Sequence, residues 1–228
     1  MRFGGVQAVR DVNFTLAERE LRCLIGPNGA GKSTFFKMLT GQLKPTSGAV
    51  LVRGENVTGA EPHEIARRGV GIKTQVPSVF DGLTVGENLW LAATRMYRGA
   101  QARAAVETML ERVGLSTIAS RIVGQLAHGQ RQWVELGVVL STDPDLVLLD
   151  EPAAGMTDQE VLRTVELVRD INKTKALIVV EHDMQFIRMI ASKVTVFNQG
   201  AVLMEDDVEA IMHSPIVRDV YLGKKAAA

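Results

Sequence analysis

Apolar positions along this chain fall into two rhythms. Leu21-Arg22-Cys23-Leu24-Ile25, Leu146-Val147-Leu148-Leu149-Asp150, Ala176-Leu177-Ile178-Val179-Val180 and Val194-Thr195-Val196-Phe197 are short, nearly continuous apolar runs. Such runs mark strands buried on both faces, as in a parallel sheet. Val12-Asn13-Phe14-Thr15-Leu16 also reads as a strand, and so does Ala49-Val50-Leu51-Val52 between the turn signals Thr46-Ser47-Gly48 and Arg53-Gly54-Glu55-Asn56. Helical spacing takes over elsewhere. Residues 35–39 follow a glycine-rich loop, 61–68 form a short helix, and from about Val85 to Leu140 the pattern is helical. Within that stretch Val106, Met109, Leu110 and Val113 recur at helical intervals, and Trp133, Leu136 and Leu140 share one core-facing side. A helix over 159–171 links two of the buried strands, so the connection predicts a parallel pair. Asn198-Gln199-Gly200-Ala201 turns a hairpin into Val202-Leu203-Met204. The tail from 208 to 222 is helical and broken by Pro215. The closing Ala226-Ala227-Ala228 is expected to be disordered.

The glycines and carboxylates at the ends of these runs add chemistry. Gly26-Pro27-Asn28-Gly29-Ala30-Gly31-Lys32-Ser33-Thr34 lies between a strand and a helix and fits the phosphate-binding P-loop. Its glycines let the backbone approach a ligand, and its amides with the following helix start face an anion. Lys32 offers charge to β- and γ-phosphates, and Ser33 a hydroxyl to Mg²⁺. The buried run at 146–150 ends in Asp150-Glu151-Pro152. A carboxylate there suits Mg²⁺, which assigns Asp150, and the next one suits an attacking water, which assigns Glu151. On its own the pair also fits a helix N-cap.

Composition narrows the class. The chain has 228 residues, 46% of them hydrophobic, enough for one domain or a compact two-lobe unit with a sizeable core. The 26 basic and 26 acidic residues balance, and no basic footprint for nucleic acid is visible. Arg67-Arg68 and Lys224-Lys225 read as solvated surface. No apolar run nears the ~20 residues of a membrane span, and no secretory leader is visible. Any membrane role therefore runs through partners. Cys23, the single cysteine, lies in a buried strand, reads as inert packing and fits a reducing cytosol.

Leu126-Ala127-His128-Gly129-Gln130 opens a helix, and a glycine before a fresh helix start is an anion site. With the P-loop and the Asp150-Glu151 pair it resembles the ATP-binding-cassette (ABC) transporter ATPases, over the chain from Phe3 to about Gly223. The fold implied is α/β: a P-loop NTPase core with a mainly parallel sheet, an antiparallel β subdomain and a helical lobe. Residues 1–228 are then a single ABC ATPase domain with the helical lobe at 85–140. Within the family the phrases Phe3-Gly4-Gly5, Leu126 to Trp133 and Glu151-Pro152-Ala153-Ala154-Gly155-Met156-Thr157-Asp158 place it in the urea and branched-chain amino-acid uptake subgroup, most like urea-transporter ATPase subunits.

The resemblance implies a set of roles. Gln75 joins two lobes and senses Mg²⁺ and water; His182, after the run at 176–181, contacts the γ-phosphate; Phe3 stacks on adenine. Gly26, Asn28, Gly29, Ala30, Gly31, Lys32, Ser33 and Thr34 hold ATP, and Ala127, His128, Gly129 and Gln130 complete the phosphate cage of a second subunit. Ser33, Gln75 and Asp150 hold Mg²⁺; Glu151, His182 and Gln75 carry out hydrolysis. The loop 154–158 runs along the dimer seam. Implied partners are transmembrane permease subunits and a second ATPase subunit, identical or not, joined in an ATP-dependent way. Their docking groove lies beside Gln75 and an exposed Val79, Phe80 and Leu83. The chain sits peripherally on the cytoplasmic face of the plasma (inner) membrane, touching it only through partners. It departs from the family in Ala127, where serine is usual, and in His128, at a glycine position. A further strand is expected ahead of Phe3 and is missing from this start. The rival readings are a degenerate or non-transport cassette acting as an ATP-dependent regulatory module, and an ordinary P-loop kinase or GTPase, against which the 126–130 segment and the Asp150-Glu151 pair argue.

Overall fold

The computed structural model describes residues 1–75 and 78–222, in two compact units: Met1–Arg68 with Ile178 onward, and Gly69–Leu177. The first begins with a small antiparallel pair, β1 (Arg2–Phe3) and β2 (Val6–Gln7), turned by Gly4. Residues 12–16 then depart from expectation. Val12, Phe14 and Leu16 are half-buried and Asn13 and Thr15 exposed, as in a strand, yet no ladder forms among the described residues. Side chains hold the segment instead: Phe14 meets Phe35 edge-on at 5.5 Å, and the Arg22 guanidinium lies 5.2 Å from the Phe14 ring and donates to Thr15 O.

β3 (Leu21–Ile25) is buried at every residue and feeds α1 (Lys32–Leu39), whose Phe35, Phe36 and Met38 enter the core. The expected strand over 49–52 shortens to β4 (Leu51–Val52), paired with β5 (Glu55–Asn56). Only Arg53 and Gly54, both at positive φ, make the turn; Glu55 and Asn56 already pair, which corrects the longer turn read from the sequence. α2 (Pro62–Arg67) closes this stretch, with Arg67 and Arg68 exposed.

The second unit opens with β6 (Val70–Lys73) and continues through α3 (Val85–Ala93), α4 (Gly99–Arg112), α5 (His128–Leu140), β7 (Leu146–Asp150) and α6 (Asp158–Asn172). β6 and β7 run parallel in the register Val70↔Leu146 to Lys73↔Leu149. Helices α3, α4 and α5 pack together around Leu89, Val106, Leu110, Trp133, Leu136 and Leu140, as the helical spacing predicts. Each side chain that size removes ~1.5–3 kcal/mol of unfavourable apolar exposure.

β8 (Ala176–Val180) returns the chain to the first unit. α7 (Met184–Ile190), β9 (Lys193–Asn198), β10 (Ala201–Asp207), α8 (Val208–His213) and α9 (Pro215–Leu222) follow. β3 pairs parallel with β9, and β9 antiparallel with β10. Gln199 and Gly200 carry φ of 48° and 80°, the two positive values that a tight two-residue hairpin needs. Pro215 begins α9, so the tail breaks where the sequence places the break. Lys224-Lys225 and the closing alanines lie outside the described residues.

Candidate nucleotide site

The phosphate-binding loop of the first unit is built by tight backbone approach. Gly26 has φ 147° and Gly31 φ 103°, and a Cβ at either would strike a backbone oxygen, Phe197 O at Gly26 and Ala8 O at Gly31. A side chain at these places would push the loop open. The hairpin turn supports it from below: the Gly200 amide donates to Ala30 O at 2.9 Å, and the Arg10 amide to Gly200 O at 2.7 Å. Helix α1 starts at Gly31 with no side-chain cap, so its first amides remain to face an anion. Lys32 Nζ donates to Gly26 O at 2.5 Å and Pro27 O at 3.0 Å, which folds its ammonium over the loop. Asn28, Gly29 and Ser33 are exposed, while Ala30 is buried beneath them.

His182 is tied to the same unit's sheet. The Glu181 amide donates to Leu24 O at 3.3 Å, so the turn bearing His182 starts beside the strand that feeds the loop. The buried Glu181 carboxylate accepts from the His182 and Asp183 amides at 2.8 and 3.2 Å, and Asp183 then caps α7. Sequence reasoning passed over Glu181. A carboxylate that closes an otherwise apolar strand is the signal, because burial obliges it to find donors. Cys23 is fully buried; desolvation first, and then the Glu181 charge, push its thiol well above the ordinary range, which agrees with an inert role. Phe3 lies on β1 with 45% of its surface exposed, free to offer a ring face.

The second unit brings Gln75 and Glu151 together: Gln75 Nε2 donates to Glu151 Oε2 at 2.8 Å. Asp150 ends β7 half-buried, and Glu151 follows at φ 47°. For a residue with a Cβ that left-handed backbone costs ~1–2 kcal/mol. Strain of this kind gathers where a side chain must be aimed. The loop after Glu151 is tightly turned, with Ala154 N donating to Glu151 O at 3.3 Å and Met156 N to Ala153 O at 3.3 Å. Thr157 caps α6 in a reciprocal box with Glu160.

Helix α5 starts against that loop. His128 Nε2 lies 3.0 Å from Ala154 O, which makes it the donor there, and Gly129 gives the Glu160 carboxylate the space a Cβ would fill. Further along, Trp133 Nε1 donates to Thr164 Oγ1 at 3.0 Å, and Arg163 stacks 4.2 Å over the Trp133 ring. At the helix start Gln130 Oε1 accepts from the Ala127 amide at 3.3 Å. Alanine has no oxygen to return the bond, so the capping box is half made.

The docking expectation needs correction. Phe80 is 62% exposed, but Val79 and Leu83 are half-buried. Leu83 is drawn in because its carbonyl accepts from the Val123 amide at 3.0 Å just ahead of the capped start of α3. Phe80 is presented by buried Asn88, which accepts from its amide at 2.8 Å and donates to its carbonyl at 3.1 Å. Val76 and Pro77, next to Gln75, lie outside the described residues. Among the described residues no helix is long and apolar enough to cross a membrane.

Known proteins resemble this chain in sequence and in fold. Residues 9–154 match the family described as ABC transporter. The high-affinity branched-chain amino acid transport ATP-binding protein LivG of Escherichia coli strain K12 is 38% identical over 98% of this chain and 95% of its own. Its counterpart BraF of Pseudomonas aeruginosa is 37% identical over the same shares, 98% and 95%. Among solved structures, the ADP conformation of MJ1267, an ATP-binding cassette of an ABC transporter, superposes with a TM-score of 0.87 at 27% identity, covering 98% of this chain and 96% of that one. The dimeric post-hydrolysis state of the cassette MJ0796 bound to ADP and Pi gives a TM-score of 0.80 at 26% identity, over 91% and 94%.

Proposed function

The chain belongs to the ABC transporter family of ATP-binding subunits and is an ATPase, and from that premise we propose that it powers an importer of branched-chain amino acids. The observation that carries the solute class is the near full-length similarity to two branched-chain amino-acid transport subunits. Permease subunits provide the path across the bilayer, and the ATPase acts from the cytoplasmic face. Exposed Phe80, held by Asn88, is the apolar contact we assign to the permease.

The site works as two halves. Phe3 stacks on the adenine, the loop 26–34 wraps the phosphates, and Lys32 neutralises their charge. Ser33, Gln75 and Asp150 would hold Mg²⁺: a hydroxyl, an amide oxygen and a carboxylate form the oxygen set that such a hard cation prefers, and the ion would supply charge neutralisation at the phosphates. Glu151 takes a proton from the attacking water while Gln75 keeps the carboxylate aimed, which the 2.8 Å bond between them supports. His182 donates to the γ-phosphate, its backbone steadied by Glu181. Ala127 to Gln130 of a second subunit close the cage with the amides of their helix start. ATP thereby joins the two subunits, and its hydrolysis releases them, driving alternating access in the permease.

Disrupting the gene should abolish high-affinity uptake of labelled leucine, isoleucine and valine while labelled urea uptake is unchanged. Loss of urea uptake alone would overturn the solute assignment.

Ala127→Ser should raise turnover. Its hydroxyl adds a donor toward the γ-phosphate, worth ~1.5–3 kcal/mol when well aimed at a charged acceptor. It also completes the capping box with Gln130, for ~0.5–2 kcal/mol of helix stability. Phosphate release and melting temperature separate the two effects. A rise in melting temperature with a fall in turnover would show that this helix start is built around alanine.

A further inference from the structure

Helix α5 carries a charge where its neighbours are apolar. Glu135 lies on the buried side with Trp133 and Leu136 and is 1% exposed. Its carboxylate reaches the chain on both sides of Gln75. Oε1 accepts from the Ser78 amide at 3.1 Å, just after Gln75, and Oε2 lies 3.6 Å from Nζ of Lys73, just before it. That second distance is an ion pair rather than a short hydrogen bond. Lys73 is itself 1% exposed and ends β6 opposite Leu149, the residue before Asp150. Burial pushes the Glu135 carboxyl up, against the pull of Lys73 and the Ser78 amide.

A pair this deep is poorly explained by stability. Desolvating two charges costs several kcal/mol, and apolar residues of the same volume commonly fold as well or better. What a buried polar acceptor on α5 provides, and an apolar side chain does not, is a fixed register: Glu135 Oε1 accepts from the Ser78 amide, while Lys73 balances the charge that this places in the core.

We infer that Glu135 is a positioning residue that ties α5, whose start meets the phosphate of the opposite nucleotide, to the segment that carries Gln75. Gln75 in turn holds Glu151 at 2.8 Å. The chain of contact runs from the helix start through Glu135 to Ser78 and Lys73, then to Gln75 and the hydrolytic carboxylate. Glu135 thereby sets where the Gln75 segment lies against α5, and with it where Gln75 holds Glu151. The inference rests on the reading of Gln75 and Glu151 as the hydrolytic pair.

Two double variants test it, because a single change would strand a buried charge. Lys73→Met with Glu135→Gln removes both charges and keeps an acceptor for the Ser78 amide. Lys73→Met with Glu135→Leu removes the acceptor as well. Both should fold and, without Mg²⁺, bind ATP within about two-fold of wild type, since the loop 26–34 that wraps the phosphates is untouched. The leucine variant should lose kcat by ~10–100-fold, the scale of a misplaced catalytic group, while the glutamine variant stays within about three-fold. Hydrogen exchange at the Ser78 amide should be slow in wild type and the glutamine variant and fast in the leucine variant. Wild-type kcat in the leucine variant would overturn the inference, as would parallel loss of kcat, affinity and melting temperature. Unchanged exchange at Ser78 would overturn it too, and that result is independent of turnover. A wild-type protein that released no phosphate would instead overturn the assignment of Gln75 and Glu151, leaving the Ser78 exchange to decide whether Glu135 holds this segment.

Discussion

Glu151→Gln should bind ATP as wild type does and all but stop hydrolysing it. Glutamine has the same shape and accepts the Gln75 amide hydrogen through its remaining oxygen, so the 2.8 Å bond that aims the side chain survives. The backbone at φ 47° is no harder for glutamine than for glutamate. What disappears is the ability to take a proton, and removing a positioned general base costs ~10²–10⁴-fold in rate. Steady-state phosphate release and nucleotide titration check the two halves separately. Turnover near that of wild type would move the base elsewhere.

Lys32→Ala should fail earlier, at binding. Nζ now bridges Gly26 O and Pro27 O at 2.5 and 3.0 Å, poised at the mouth of the loop. Its charge-assisted contacts to phosphate are worth ~1.5–3 kcal/mol, so affinity for ATP should fall by roughly one to two orders of magnitude. The loop itself should persist, because the Gly200–Ala30 and Arg10–Gly200 bonds hold it without Lys32. Calorimetric titration gives the affinity, and an unchanged melting temperature shows that the loop still stands. Equal affinity in the variant would place the phosphates somewhere else.

The parts of this molecule that follow from local chemistry were legible beforehand. The glycine spacing of residues 26–31 announces a loop that a backbone must approach closely, and the apolar run into Asp150 announces a buried strand that ends in a carboxylate. Gln199-Gly200 announces a tight turn, because few residue pairs accept two positive φ values. Other features depend on partners that local sequence does not name. Residues 12–16 show strand-like burial but lack a neighbouring strand, so side chains from Phe35 and Arg22 hold them instead. Val79 and Leu83 read as exposed until the bond between the Val123 amide and the Leu83 carbonyl draws the chain inward. The tie from Gly200 to Ala30 joins residues far apart in sequence, and no periodicity reveals it. Glu135 is an intermediate case. A carboxylate on the apolar side of α5 signals a buried partner, but only the fold shows that the partners flank Gln75.

The central claim is that each ATP is held by groups from two ATPase subunits, as the proposed reading of the site has it. Light scattering on purified Glu151→Gln with and without saturating Mg-ATP tests it most directly, because hydrolysis no longer empties the site. The account predicts a monomer without nucleotide and a dimer with it, the dimer being lost when Lys32→Ala is added. A Glu151→Gln protein that stays monomeric at saturating Mg-ATP, or one that dimerises without nucleotide, would contradict the shared site.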